Sequence, residues 1–246
     1  MAGLRDCPVL RGGPVAGVPD VIDRLTAIRD GVRKVAPDCG VGYFSDLYLT
    51  ITEGIQGHIE SGGFFTDDEY LARLDVVFAN RYFDALRMWA GGGRVPAAWG
   101  LLFEAPENGE ITAIQLAGAG VNAHINFDLA VAAVETGREF GDADLDTGSR
   151  RHDYDRVNDV FAEQMHVLMG RLLDERAASS GEPSVFLVAL CELMERIVET
   201  ARRCAWADAG ILWSYRRGSP EWATKERHMD AVATLVGRSV LWDLPG

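Results

Sequence analysis

Between Asn122 and Asp128 the chain reads N-A-H-I-N-F-D, and most of these side chains can do chemistry. A helix of 3.6 residues per turn brings positions four apart onto one face. His124 and Asp128 therefore converge on one side, and Asn122 and Asn126 lie roughly on the other, together with Leu129. A histidine beside a carboxylate is an imidazole held for proton transfer or a pair of metal ligands. Its structural alternative is a hydrogen-bonded pair that fixes how helices pack. The stretch around it, Leu116 to Thr136, is apolar almost all the way round, which puts it inside the domain. A polar group there costs about 1–3 kcal/mol unless it finds a partner, and titratable groups in such surroundings cluster at functional sites. His124 and Asp128 are accordingly the expected catalytic pair, with Asn122 and Asn126 expected to contact substrate.

Other helices have to bring further groups to this pair. Asp20 is placed to cap a first helix carrying Val21, Leu25, Ile28 and Val32 at helical spacing, stopped by Pro37 to Gly40. A second fits Phe44 to Glu60, with Tyr48, Ile51, Ile55 and His58 on its apolar stripe; His58 is a substrate-binding candidate, although a lone histidine on such a face is more often a core residue. A third opens at the T-D-D-E capping box of Thr66 to Glu69 and runs to about Trp89. Asp75, Arg81 and Tyr82 lie on or beside its core stripe and are the next substrate-binding candidates. Gly91-Gly92-Gly93 ends it; with no preceding strand and no following G-K-[ST], these glycines are a connection rather than a phosphate loop. A short helix, Ala97 to Glu104, carries Trp99 and Phe103. Beyond the central helix, a fifth long pattern from about His152 aligns Asp155, Asp159 and His166 on one face. With His124 and Asp128, the carboxylates of Asp155 and Asp159 make a conceivable set of metal ligands; the plainer reading is a solvated face. Asn158 is a further substrate contact to consider. Arg202, Arg203 and Trp206, near the far end of the next helix, suit an acidic ligand or the basic last turn that the helix dipole favours. Trp222 to Val240 make the final helix. No alternating strand pattern and no fixed repeat is present.

These elements predict an all-α, single-domain bundle of about six to eight helices around a buried central helix, spanning residues 20–246, preceded by an irregular Gly- and Pro-rich segment at 1–19. A chain of 246 residues with 48% hydrophobic content can bury a full core. A net charge of −13 and a pI near 4.8 argue against nucleic acid or an anionic membrane surface as the partner. Without a signal-peptide pattern or a long apolar run, a cytoplasmic location is expected. Cys7, Cys39, Cys191 and Cys204 are scattered, so neither a zinc knot nor a disulfide framework is predicted.

N-A-H-I-N-F-D-L-A at Asn122 to Ala130, F-A-N-R-Y-F-D-A at Phe78 to Ala85 and D-Y-D-R-V-N-D at Asp153 to Asp159 together resemble an uncharacterised bacterial family of single-domain helical proteins, from about Tyr43 onward. The resemblance implies a shared fold and points at His124, Asn126 and Asp128. The His-x-x-x-Asp pair is also similar to one pair of ligands in zinc-dependent phospholipases C, which use a processed amino-terminal Trp and several more histidines beside that pair, where this chain has five histidines in all.

Three functional classes follow. The first is a small-molecule enzyme with His124 as base or acid and Asp128 orienting it; one divalent metal ion would add hydrolysis by an activated water, and without metal the same groups suit cyclisation, isomerisation or dehydration of a hydrophobic metabolite. The second is a non-catalytic protein binding a small, partly apolar molecule. The third is a structural protein in which the polar cluster is a packing network. A second copy of the chain, forming a homodimer, is the macromolecular partner considered.

Overall fold

A reciprocal cap starts the central helix: the Thr112 hydroxyl accepts from the Gln115 backbone N–H at 3.3 Å, and Gln115 Oε1 accepts from the Thr112 N–H at 3.0 Å. From there the chain runs through α6 (Ala113–Ala123), a π-helical turn (His124–Asp128) and α7 (Leu129–Glu139). Around this axis stand α3 (Gly40–Ser61), α4 (Asp68–Ala90), α9 (Val185–Trp213) and α10 (Pro220–Val240). The outer pieces are α1 (Ala2–Arg5), a 3-10 turn (Pro8–Arg11), α2 (Val18–Arg33) on α3, α5 (Ala97–Phe103), and α8 (Arg150–Asp174) against α3 and α9. This computed structural model describes residues 2–106, 110–174 and 185–242, and side chains other than those of residues 2 and 166–190. No strand occurs among the described residues, and the all-α bundle expected from the sequence is what forms.

The amphipathic stripes become the core. Val21, Leu25, Ile28 and Val32 of α2, Phe44, Tyr48, Ile51 and Ile55 of α3, and Leu71, Leu74, Tyr82 and Trp89 of α4 are all buried. Gly120 lets α3 and α6 close on one another: a Cβ there would stand 2.4 Å from the Phe44 ring.

Helix starts differ from expectation by small, explicable amounts. Gly17, not Asp20, is the first cap; Asp20 sits three residues in and accepts from the Gly17 N–H at 3.0 Å. Asp67, not Thr66, caps α4, accepting from Tyr70 N–H at 3.0 Å. The backbone amides of Thr66 and Asp67 are instead taken by the buried carboxylate of Asp153, at 2.8 and 2.9 Å. Arg150 reaches both Asp142 and Asp67, tying the loop after α7 to the start of α4.

The first 19 residues are not an irregular surface run. Leu4, Cys7 and Leu10 are buried, Arg5 stacks over Trp89, and Asn80 of α4 holds Val15 through both its N–H and its C=O at 2.9 Å. Glycine and proline mark the turns here and hide the apolar residues between them.

Candidate functional site

The His124–Asp128 segment is a π turn in which Leu129 N–H donates to the C=O of His124, five residues back. Five residues of an α-helix would turn about 500°, leaving Leu129 some 140° from His124. The wider turn brings Leu129 back to His124's side, where both face the same cavity with Val121 and Ile125. The sequence placed Leu129 with the asparagines; the π turn overturns that register.

Asp128 is 2% exposed and accepts three hydrogen bonds: from His124 Nδ1 at 3.0 Å and Trp99 Nε1 at 2.9 Å on one oxygen, and from Arg81 Nε at 3.0 Å on the other. A carboxylate with only acceptors to offer fixes the proton of the neutral imidazole on Nδ1. The ring is then held by aromatic neighbours. Phe78 stacks on it at 3.4 Å and 7°, and Tyr48 and Phe44 meet it edge-on at 4.8 and 5.7 Å. Nε2, the basic nitrogen of this tautomer, is buried with no hydrogen-bond partner. Burial lowers the His124 pKa and outweighs the opposing pull of Asp128, so the imidazole is neutral at physiological pH.

The cavity beside this ring measures about 50 Å³, room for a few waters. Its walls are Phe44, Leu47, Tyr48, Ile51 and Ile55 of α3, Leu71, Leu74, Asp75 and Phe78 of α4, the central-helix residues named above, Val157 and Phe161 of α8, and Arg202 of α9. Leu47, Phe78, Val121 and Phe161 are only half-buried and form its outer margin. Three polar groups besides His124 look for partners here, Arg202 through its Nε and two others. Asp75 is 6% exposed, its Oδ2 has no hydrogen bond, and burial pushes its carboxyl up to about 7. The Tyr48 hydroxyl is likewise unpartnered, and burial, then the charges of Asp75 and Asp128, raise its pKa well above the ordinary value.

Of the residues expected at the site, His124 and Asp75 line the cavity, and Asp128 and Arg81 stand behind His124. Arg81 orients Asp128 and does not line the space. The remaining candidates lie away from the cavity. Asn122 donates to the Ala233 carbonyl of α10 at 2.7 Å and accepts from Asn126 at 2.9 Å, so this pair bolts the central helix to α10. Tyr82 spends its hydroxyl on Ser45, 2.9 Å away in the core. His58 falls past the end of the cavity, stacked on Phe64 and bonded to Glu163 at 2.8 Å. Asn158 is not part of the lining, although its Oδ1 is buried without a partner. Asp155 and Asp159 pair with Arg151 and Arg156 on the partly exposed side of α8. They do not join His124 and Asp128, and among the described residues no three His, Cys, Asp or Glu side chains come together as a metal site. The His166 side chain lies outside the described residues.

Three contributors escaped a reading by residue type. Tyr48 looked like one more aromatic of a core stripe, and Trp99 like a residue covering a pocket or tacking down a loop. Arg202 was visible as a possible contact for an acidic ligand, but its place on the cavity wall follows only from how α8 and α9 pack.

Fold and geometry together define an all-helical domain with a buried, oriented histidine facing an apolar cavity. A family model matches residues 18–242, and the chain belongs to that family, DUF5995, a family of unknown function. No curated protein and no solved structure matches the chain. No helix of the described residues is long and apolar enough to cross a membrane.

Proposed function

We propose that the protein is a small-molecule enzyme that works by proton transfer, with His124 as the general base. The observation that carries this reading is the state of the two ring nitrogens: Nδ1 is fixed on a carboxylate that is itself held by Arg81 and Trp99, while Nε2 is buried and unpartnered beside a cavity. A packing histidine has both nitrogens satisfied or one in water; a general base needs a free lone pair with its other side oriented. Asp75, whose carboxyl titrates near 7, supplies a proton where His124 removes one. A neutral base and a protonated acid in an apolar space suit isomerisation, cyclisation or dehydration of a small hydrophobic molecule. Metal-assisted hydrolysis is the weaker alternative, because the extra carboxylates it would recruit, Asp155 and Asp159, are engaged by arginines elsewhere.

The test is solvent exchange. The protein is incubated in D₂O with a panel of small apolar carbonyl compounds, and deuterium incorporation at acidic C–H positions is followed by NMR. Wild type is expected to exchange one class, with His124→Gln slower by about 10²–10⁴-fold. Binding of a panel member without exchange, equal in both forms, would instead favour a protein that only holds its ligand.

A further inference from the structure

Arg202 is 4% exposed and lies in the middle of α9, more than two turns from its end, so a favourable meeting with the helix dipole does not account for it. Its Nη2 donates to the Tyr154 carbonyl, the guanidinium stacks on the Tyr154 ring at 4.3 Å, and Phe161 is 6.0 Å away. Nε has no partner. Among the described residues no carboxylate lies within ion-pairing distance; the nearby Asp155 is bonded to Arg151. A methionine would fill the same space and a neutral donor would serve the same carbonyl. Two ring faces and one carbonyl are what meet the positive charge among the described residues, and burying it on these alone is costly unless an anion joins it. Arg202 borders the cavity, on the side formed by α8 and α9, away from the aromatic cage that α3 and α4 build around His124.

We infer that the cavity receives a small carboxylate with an apolar body, its carboxylate bonded to the guanidinium of Arg202 and its body lying along Ile51, Ile125 and Leu129 toward His124. A planar guanidinium matches a carboxylate and gives charge-assisted bonds. The narrow, oily walls favour a monoanion over a more heavily hydrated phosphate. This rests on the cavity being the ligand site of the proposed function, and it adds the chemical class of the ligand; it does not require turnover.

Binding of propanoate, propanol, propylamine and propyl phosphate is measured by calorimetry on the wild-type, Arg202→Met, Arg202→Lys and His124→Gln proteins; the three-carbon series matches the small volume of the cavity. Propanoate is expected to bind about tenfold or more tightly than propanol, with that preference lost in Arg202→Met and largely kept in Arg202→Lys. Arg202→Lys guards against a folding defect, since it retains the charge, and circular dichroism of each variant confirms the helical fold. Equal affinity for propanoate and propanol in wild type, a preference for the amine or the phosphate, or a carboxylate preference that survives Arg202→Met in a folded protein overturns the inference. The His124→Gln form separates the two proposals. Propanoate binding kept there, with no proton exchange found for wild type on any panel member, leaves the carboxylate site standing and removes the enzyme; exchange of neutral compounds without carboxylate preference does the reverse.

Discussion

The central helix carries two polar pairs at the same four-residue spacing, and they have opposite fates. Asn122 and Asn126 close on each other and on the Ala233 carbonyl, under the cover of α10. His124 and Asp128 also bond, but the pair ends in a bare ring nitrogen at a cavity. Spacing is shared, and Asn122 is buried as His124 and Asp128 are, so neither property tells a site from a bolt. What separates them is whether the last valence of the network meets protein or empty space.

The comparison can be broken most forcefully at Asp128. Asp128→Ala leaves Trp99 and His124 buried, and Arg81 half-buried, without their common acceptor, and chemical denaturation is expected to show a loss of about 3–5 kcal/mol; a loss under 1 kcal/mol would mean that the carboxylate organises little. Asp75 gives an effect of opposite sign. Its folded pKa of about 7 lies above the ordinary 3.8, so the folded state holds the extra proton between those values. The stability penalty is absent below about pH 4, grows as pH rises and levels off above about 7, reaching up to about 4 kcal/mol. Asp75→Asn is therefore expected to stabilise the protein at pH 8 and not at pH 4, and melting curves across that range check it. Burial lowers the His124 pKa, which opposes this trend below about pH 6.5, where the unfolded histidine takes up a proton first.

Asn122→Ala sharpens the contrast from the packing side. Losing the bond to the Ala233 carbonyl and leaving Asn126 without its acceptor is expected to cost about 1–3 kcal/mol while ligand binding in the cavity stays at the wild-type level; a selective loss of binding would move the asparagines back into the site. Smallest of all, Asp155→Asn and Asp159→Asn remove partly exposed ion pairs and are expected to change stability by less than about 1 kcal/mol. Either one abolishing a bound activity would revive the carboxylate set rejected on geometry.

Much of this was legible from residue order. The apolar stripes of α2, α3 and α4 fall into the core as their periodicity requires, and the oily surroundings of His124 and Asp128 marked a helix that is buried and borders the cavity. Some of the candidates that lie away from the cavity also carried readable signals. Arg151 stands four before Asp155 and Arg156 three before Asp159, the spacings of helix-surface ion pairs. Other features had none. Nothing in N-A-H-I-N-F-D announces a π turn, since no proline or glycine interrupts it, and the wider turn is settled by packing against α4, α9 and α10. Tyr48 and Tyr82 share a stripe-like setting, and only the position of Ser45 decides which hydroxyl is satisfied.

A π turn is geometrically an α-helix with one residue too many, and this has a consequence for how the central helix tolerates change in length. Removing a single residue between His124 and Asp128 would let the turn relax to ordinary α geometry with α6 and α7 kept nearly in phase, because four α residues turn about 400° and bring Leu129 to the side of His124 that the π turn already gives it. The grip of Asn122 on α10 and the wall made by Leu129 would both be kept. What such a deletion changes is the turn itself: Asp128 would stand three residues from His124 instead of four, so the loss falls on the histidine–carboxylate pair and spares the two flanking faces.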